Sequence, residues 1–183
     1  MRAIINIKLL FILIITGLFL NSCDILIDIE ELQQVKDTGG YVFYDKGDYS
    51  DGWRYLVAAP TDQAKIAWGP LNNIGGTLEQ TGKGEFNTTI IVNTLADVTP
   101  SAAKYCYNLQ LNGFSDWFLP SIDELKLMYK VLYKNEKGDF LEDSYWSSNN
   151  SDIANAKSLN MTTGVISDAN KASQFRVRAI RAY

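Results

Sequence analysis

Two carboxylates in one short segment carry the clearest chemical potential in this chain. They are Asp116 and Glu124, within Asn112-Gly-Phe-Ser-Asp-Trp-Phe-Leu-Pro-Ser-Ile-Asp-Glu-Leu125. Paired carboxylates can divide acid and base work when their surroundings push their proton affinities apart. A structural reading covers the same residues. Pro120 and Ser121 suit a helix start, and Glu124 stands three residues after Ser121, the spacing of a capping box. Asp116 precedes the apolar run Trp117-Phe118-Leu119, so its carboxylate is expected to accept from backbone amides of the 112–115 turn. The catalytic reading lacks a partner, because the chain contains no histidine. That absence excludes His-dependent triads, His zinc sites and His pH switching. The chain is therefore read as non-enzymatic.

Binding chemistry is the alternative. Among Trp53, Trp68, Trp117 and Trp146, the last is the best surface candidate, because Ser147, Ser148, Asn149, Asn150 and Asp152 follow it. An indole face stacks on a sugar ring, and the amides and carboxylate of Asn149, Asn150 and Asp152 suit hydroxyls. Asp45, Asp48 and Asp51 share one loop and are the candidates for calcium, but their spacing departs from the EF-hand pattern and a solvated turn is the favoured reading. No metal is assigned and no cofactor is implied. Gly82-Lys83-Gly84 lacks the Ser/Thr and the spacing of a phosphate loop. Cys106 lies on an apolar helix face and reads as an inert core thiol.

The other cysteine has a different context. Met1, Arg2 and Lys8 precede a nearly apolar run from Leu9 to Leu20, and no acidic residue occurs before Asp24. A basic start, a short apolar core and a small-residue boundary make a secretory signal, and the core is shorter than the roughly 20 residues that span a bilayer. The boundary Leu20-Asn-Ser-Cys23 is similar to a bacterial lipobox. Residues 1–22 are thus expected to be removed, Cys23 to carry lipid, and 23–38 to form a tether. Two or more acyl chains make membrane attachment stable. The outer membrane or cell surface is the preferred location, although Asp24 resembles an inner-membrane retention signal of some bacteria. Without Arg2 and Lys8 the mature chain holds 15 basic and 21 acidic residues, a balance of −6 with no basic block. No nucleic-acid partner is expected. A single remaining thiol excludes an intrachain disulfide.

The elements that must position these groups are short. Tyr41–Tyr44 and Trp53–Ala59 read as strands around a turn, and 61–98 as mostly loop with a short strand at 66–68. Thr99 and Pro100 are placed at the start of a helix carrying Ala102, Ala103, Cys106 and Leu109 on one face. A second helix starts at Ser121, with Leu125, Met128, Tyr129 and Leu132 as its stripe. Further strands are expected at 144–147, 156–160, 164–166 and 175–180, the last with Phe175, Val177 and Ala179 facing in against Arg176, Arg178 and Ile180. The class is α+β, with two helices and small, mainly antiparallel sheets.

The 112–125 segment resembles the signature of the Lcl C-terminal domain family, named for the last domain of a bacterial collagen-like adhesin. Gly40-Tyr-Val-Phe-Tyr44, Gly52-Trp-Arg-Tyr-Leu56, Ile66-Ala-Trp-Gly69, Asn87-Thr88, Ala102-Ala-Lys-Tyr-Cys106, Tyr145-Trp-Ser-Ser148 and Val177-Arg-Ala-Ile-Arg181 follow in the family's order. The resemblance covers 39–183. It implies a C-type-lectin-like fold with paired terminal strands, and adhesion to polysaccharide as the activity. The acidic balance and the missing collagen-like stalk depart from polyanion binding. The leading expectation is a lipid-anchored adhesin or lectin-like domain with a glycan ligand. The runner-up is an envelope-assembly lipoprotein with a protein partner, in the envelope or on a host surface.

Overall fold

Gly39 and Gly40 lead from a helical turn at 34–38 into a long hairpin, β1 (Tyr41–Ser50) and β2 (Trp53–Ala58). The computed structural model describes residues 34–95 and 100–183. The signal segment, Cys23, most of the tether and the Thr99 cap lie outside the described residues. β1 runs six residues further than Tyr44, so the polar stretch expected to be a loop is largely strand. Only Asp51-Gly52, both at positive φ, turn the chain.

β3 (Ala64–Ile66) follows, then α1 (Gly84–Leu95), α2 (Ala102–Tyr107) and α3 (Ile122–Val131). β4 (Ser144–Asn150), β5 (Asn155–Asn160), β6 (Ile166–Asn170), β7 (Phe175–Val177) and β8 (Ile180–Ala182) complete the chain. The class is α+β, as the periodicity indicates. One sheet has the order β1-β2-β8 and the other β3-β7-β4-β5-β6, with only β4 and β7 parallel. The C-terminal strand thus joins the N-terminal hairpin, through β2.

α1 is the helix that periodicity missed. Its sequence, Gly-Glu-Phe-Asn-Thr-Thr-Ile-Ile-Val-Asn-Thr-Leu, is rich in β-branched residues of low helix propensity. Tertiary bonds hold it instead. Asn87 Oδ1 accepts from Leu78 N at 2.7 Å, its Nδ2 donates to Leu78 O at 2.7 Å, and Thr88 Oγ1 accepts from Leu119 N at 3.0 Å. Gly84 is needed at its start, because a Cβ there would collide with the Glu124 carboxylate and lie 2.9 Å from Leu119 O. α2 is capped by Ser101, whose Oγ accepts from Lys104 N, and Pro100 stands before the cap rather than at the first helical position.

Two apolar clusters fill the interior. Trp68, Ile91, Leu95, Cys106, Trp146 and Val177 belong to one, and Phe43, Leu56, Leu125, Met128, Tyr145 and Ile180 to the other. The 117–119 run is extended between them: Trp117 and Leu119 enter the first cluster and Phe118 the second. Alternation across an extended chain produces this division. Phe118 exchanges backbone hydrogen bonds with Ile180, at 2.8 and 3.0 Å, which seals the edge of β8.

The expected 175–180 strand is broken. The chain leaves one sheet after Val177 and joins the other at Ile180. Arg178 and Ile180 are consequently both buried, against the alternation that would put them outside.

Candidate functional site

Trp146 is fully buried in β4, so the surface platform expected there does not exist. Its ring centroid lies 4.6 Å from that of Phe175, and its Nε1 donates to Ile66 O at 2.9 Å. The polar residues after it do not expose it, because the strand continues through them to Asn150 inside the sheet. Their groups are spent on internal bracing. Asn149 is buried, and its Oδ1 accepts from Ile122 N at the start of α3. Its Nδ2 is buried without a partner. Asn150 donates to Asn73 Oδ1 and accepts from Lys171 Nζ. Asp152 is exposed, but its Oδ1 closes a local turn by accepting from Ala154 N and Asn155 N.

Lys171, not singled out by the sequence pattern, organises this region. Its ammonium is held by the carbonyls of Asn72 and Asp152 and lies 4.7 Å from the Trp68 ring centroid. Burial lowers its pKa from the usual lysine value. The cage ties the 72–73 and 150–153 loops together.

The calcium candidates are not gathered. Asp45 forms a two-pronged pair with Arg54, at 2.8 and 2.9 Å, which holds its carboxyl down at about 2. Asp51 faces Lys46 at 3.9 Å, and Asp48 is exposed. Among the described residues no group of three or more acidic or cysteine side chains could hold a metal ion.

The 112–125 motif divides into two parts. Ser121 and Glu124 form a reciprocal capping box on α3. The Glu124 carboxylate also accepts from Gly82 N at 2.7 Å and from Ser121 N at 2.6 Å, so it pins the loop before α1 to the start of α3. Burial pushes its pKa up to about 7, against the backbone donors that pull it down. A raised carboxyl pKa favours the folded state below its unfolded value, and this contribution is lost as pH rises through 7. At about 1.4 kcal/mol per unit, roughly 3 kcal/mol is at stake between pH 4.5 and 7. Asp143 and Asp152, whose pKa values are lowered by hydrogen bonds and nearby cations, weaken the fold only as pH falls below 3.8. Urea unfolding between pH 4 and 8 should therefore show stability declining in the wild type, with a flatter profile in Glu124→Gln. Equal slopes would remove Glu124 as the cause.

Asp116 does not bond the 112–115 turn. It grips Arg181 of β8, with Nε to Oδ1 at 2.8 Å and Nη2 to Oδ2 at 2.7 Å. Arg181 also donates to Thr38 O and lies over the rings of Phe114 and Tyr183. The pair locks the C-terminal strand to the motif while leaving the Asp116 side chain 48% exposed.

That exposed side opens on a hollow of about 260 Å³ between α1, the end of α2 and the motif. Glu85, Thr88 and Thr89 come from α1, Tyr107 from α2, and Ser115 to Phe118 from the motif. Trp117 and Phe118 are buried beneath it, while Tyr107 is 52% exposed. An aromatic ring, hydroxyls and carboxylates thus converge on a concavity slightly smaller than drug-sized pockets of roughly 300 Å³ and more. Glu85 carries no signal in sequence, because the helix supplying it is not legible there, and Tyr107 lies on an expected helix with nothing to mark it as a binding residue.

A comparison with protein families matches residues 58–181 to the Lcl C-terminal domain. The chain belongs to the Lcl C-terminal domain family. The match runs from the last residue of β2 into β8 and includes the whole 112–125 motif. No curated protein matches the chain. Among solved structures it is similar to a fimbrial protein from Bacteroides ovatus, with a TM-score of 0.51 at 12% identity. The likeness covers 71% of this chain but 36% of that one, and at this identity it concerns the fold. For this Lcl C-terminal domain the motif is therefore first a structural lock, through Glu124 and Asp116, whose outer side walls a hollow.

Proposed function

We propose that the chain is a lipid-anchored, non-catalytic adhesin-type domain of the bacterial surface that binds a glycan in the hollow beside the motif. The hollow carries the reading: the half-exposed Tyr107 ring faces the same concavity as the Ser115 and Thr89 hydroxyls and the Asp116 carboxylate. Ring stacking with a few fixed polar groups is how sugars are held. The family, named for the last domain of an adhesin, supports the same class. Anchoring rests on the Leu20-Asn-Ser-Cys23 boundary. Among the described residues no helix is long and apolar enough to cross a membrane.

Two measurements test this. Cys23→Ala should abolish incorporation of a labelled fatty acid and move the protein out of the membrane fraction; unchanged labelling would end the anchor assignment. On a glycan array, wild-type chain should bind and Tyr107→Ala should lose binding while its unfolding curve stays within about 0.5 kcal/mol, the usual range for an exposed substitution. Binding indifferent to Tyr107→Ala would remove the hollow as the site.

A further inference from the structure

We infer that the sugar recognised in this hollow carries a protonated amine. The inference rests on the glycan reading above and adds the charge of the ligand. Of the residues lining the hollow, Glu85 and Asp116 are acidic and none is basic. Glu85 is exposed in the first turn of α1. Asp116 is held rigidly by Arg181, but two N–H donors occupy only part of its capacity, since a carboxylate offers about four lone-pair sites. Its exposed side can accept further hydrogen bonds.

The aromatic wall favours the same charge. The face of Tyr107 is electron-rich, and a cation within about 6 Å of an aromatic ring is attracted to it. A neutral sugar would use the ring and the hydroxyls but leave Glu85 without a donor of matching charge, Asp116 already having Arg181. A sulfated or carboxylated sugar would bring like charge against Glu85 and Asp116. An amino sugar engages all three kinds of group: its ring stacks, its hydroxyls meet Ser115 and Thr89, and its ammonium pairs with the acidic lining. The volume of about 260 Å³ suits a single residue of a glycan rather than a long stretch.

The test uses the full-length chain and two probes that differ only at the amine. These are a glucosamine trisaccharide and its fully N-acetylated counterpart, each titrated by calorimetry. The free amine should bind at least about tenfold tighter, as expected when a charge-assisted pair replaces a neutral contact. Glu85→Gln should weaken the free amine about three- to tenfold and the acetylated sugar by a smaller factor. Raising ionic strength from roughly 0.01 to 0.15 M, which shortens the screening length from about 30 to 8 Å, should erode the difference. Equal binding of both sugars would overturn the amine inference while the glycan reading stands. A preference for the amine undiminished by Glu85→Gln would overturn its placement in the hollow. Binding of neither sugar would overturn both readings.

Discussion

Arg178→Met is expected to cost about 3–5 kcal/mol of folding stability, the penalty of breaking a buried ion pair by removing one partner. Arg178 is fully buried where the chain crosses from β7 to β8. Its Nε donates to Asp62 Oδ1 at 2.8 Å, and its Nη2 lies 2.7 Å from the same oxygen as an ion pair. Its Nη1 donates to the carbonyls of Ala59 and Gly138, at 2.9 and 2.6 Å, and its guanidinium stacks 3.9 Å from the Phe140 ring centroid. Methionine fills much of the volume but leaves two carbonyls without donors and Asp62 without its nearest cation. Asp62 keeps the Tyr145 hydroxyl at 2.7 Å and Arg176 at 3.5 Å, so the loss should stop short of unfolding the domain outright. Removing the other charge as well, in Arg178→Met/Asp62→Leu, should recover part of the loss, because two absent charges need no solvation. Urea unfolding at pH 5 reads both variants. A loss below about 1 kcal/mol in the single variant would contradict the buried pair.

Trp146→Ala should be of similar size, about 3–5 kcal/mol, from lost burial and the cavity left behind. The ring is fully enclosed, and its Nε1 is the partner of the Ile66 carbonyl in β3. Truncation therefore opens a void beneath Phe175 and frees a carbonyl at the same point. Trp146→Phe should cost less, since it keeps a ring against Phe175 and loses chiefly the hydrogen bond. The contrast with Tyr107→Ala is diagnostic. The buried indole should govern stability and the exposed phenol should govern binding. A Trp146→Ala protein as stable as wild type would mean that the ring is not enclosed.

Several features could be read before any coordinates. Ser121 and Glu124 stand at capping-box spacing, and the stripe of Leu125 and Met128 shows which face of α3 is inward; both are local, so one segment contains all the information. The hairpin of β1 and β2 is legible for the same reason. The 112–125 signature was specific enough to point to the family. α1 is not legible, because its β-branched residues argue against helix and its support comes from outside it, from Leu78 in the preceding loop and from Leu119, 31 residues beyond Thr88. Trp146 was misplaced because polar neighbours usually mark a strand's end, whereas here they lie within a sheet strand and brace its surroundings.

Residue order alone carries the α+β class, the family and the start of α3, together with the exclusion of histidine chemistry. The class, the cap and the missing histidine follow from periodicity, composition and contacts three or four residues apart, and the family from the 112–125 signature with its ordered landmarks. The tertiary structure alone decided which polar groups are free. Arg178, Lys171 and Arg181 are chemically ordinary cations in the sequence, and burial against Asp62, a cage of loop carbonyls and Asp116 makes them internal fixtures. It also decided the hollow, because Glu85, Tyr107 and Asp116 come from three separate segments. Long-range packing sets both results, and no local pattern encodes which charge will meet a partner and which will be left facing solvent.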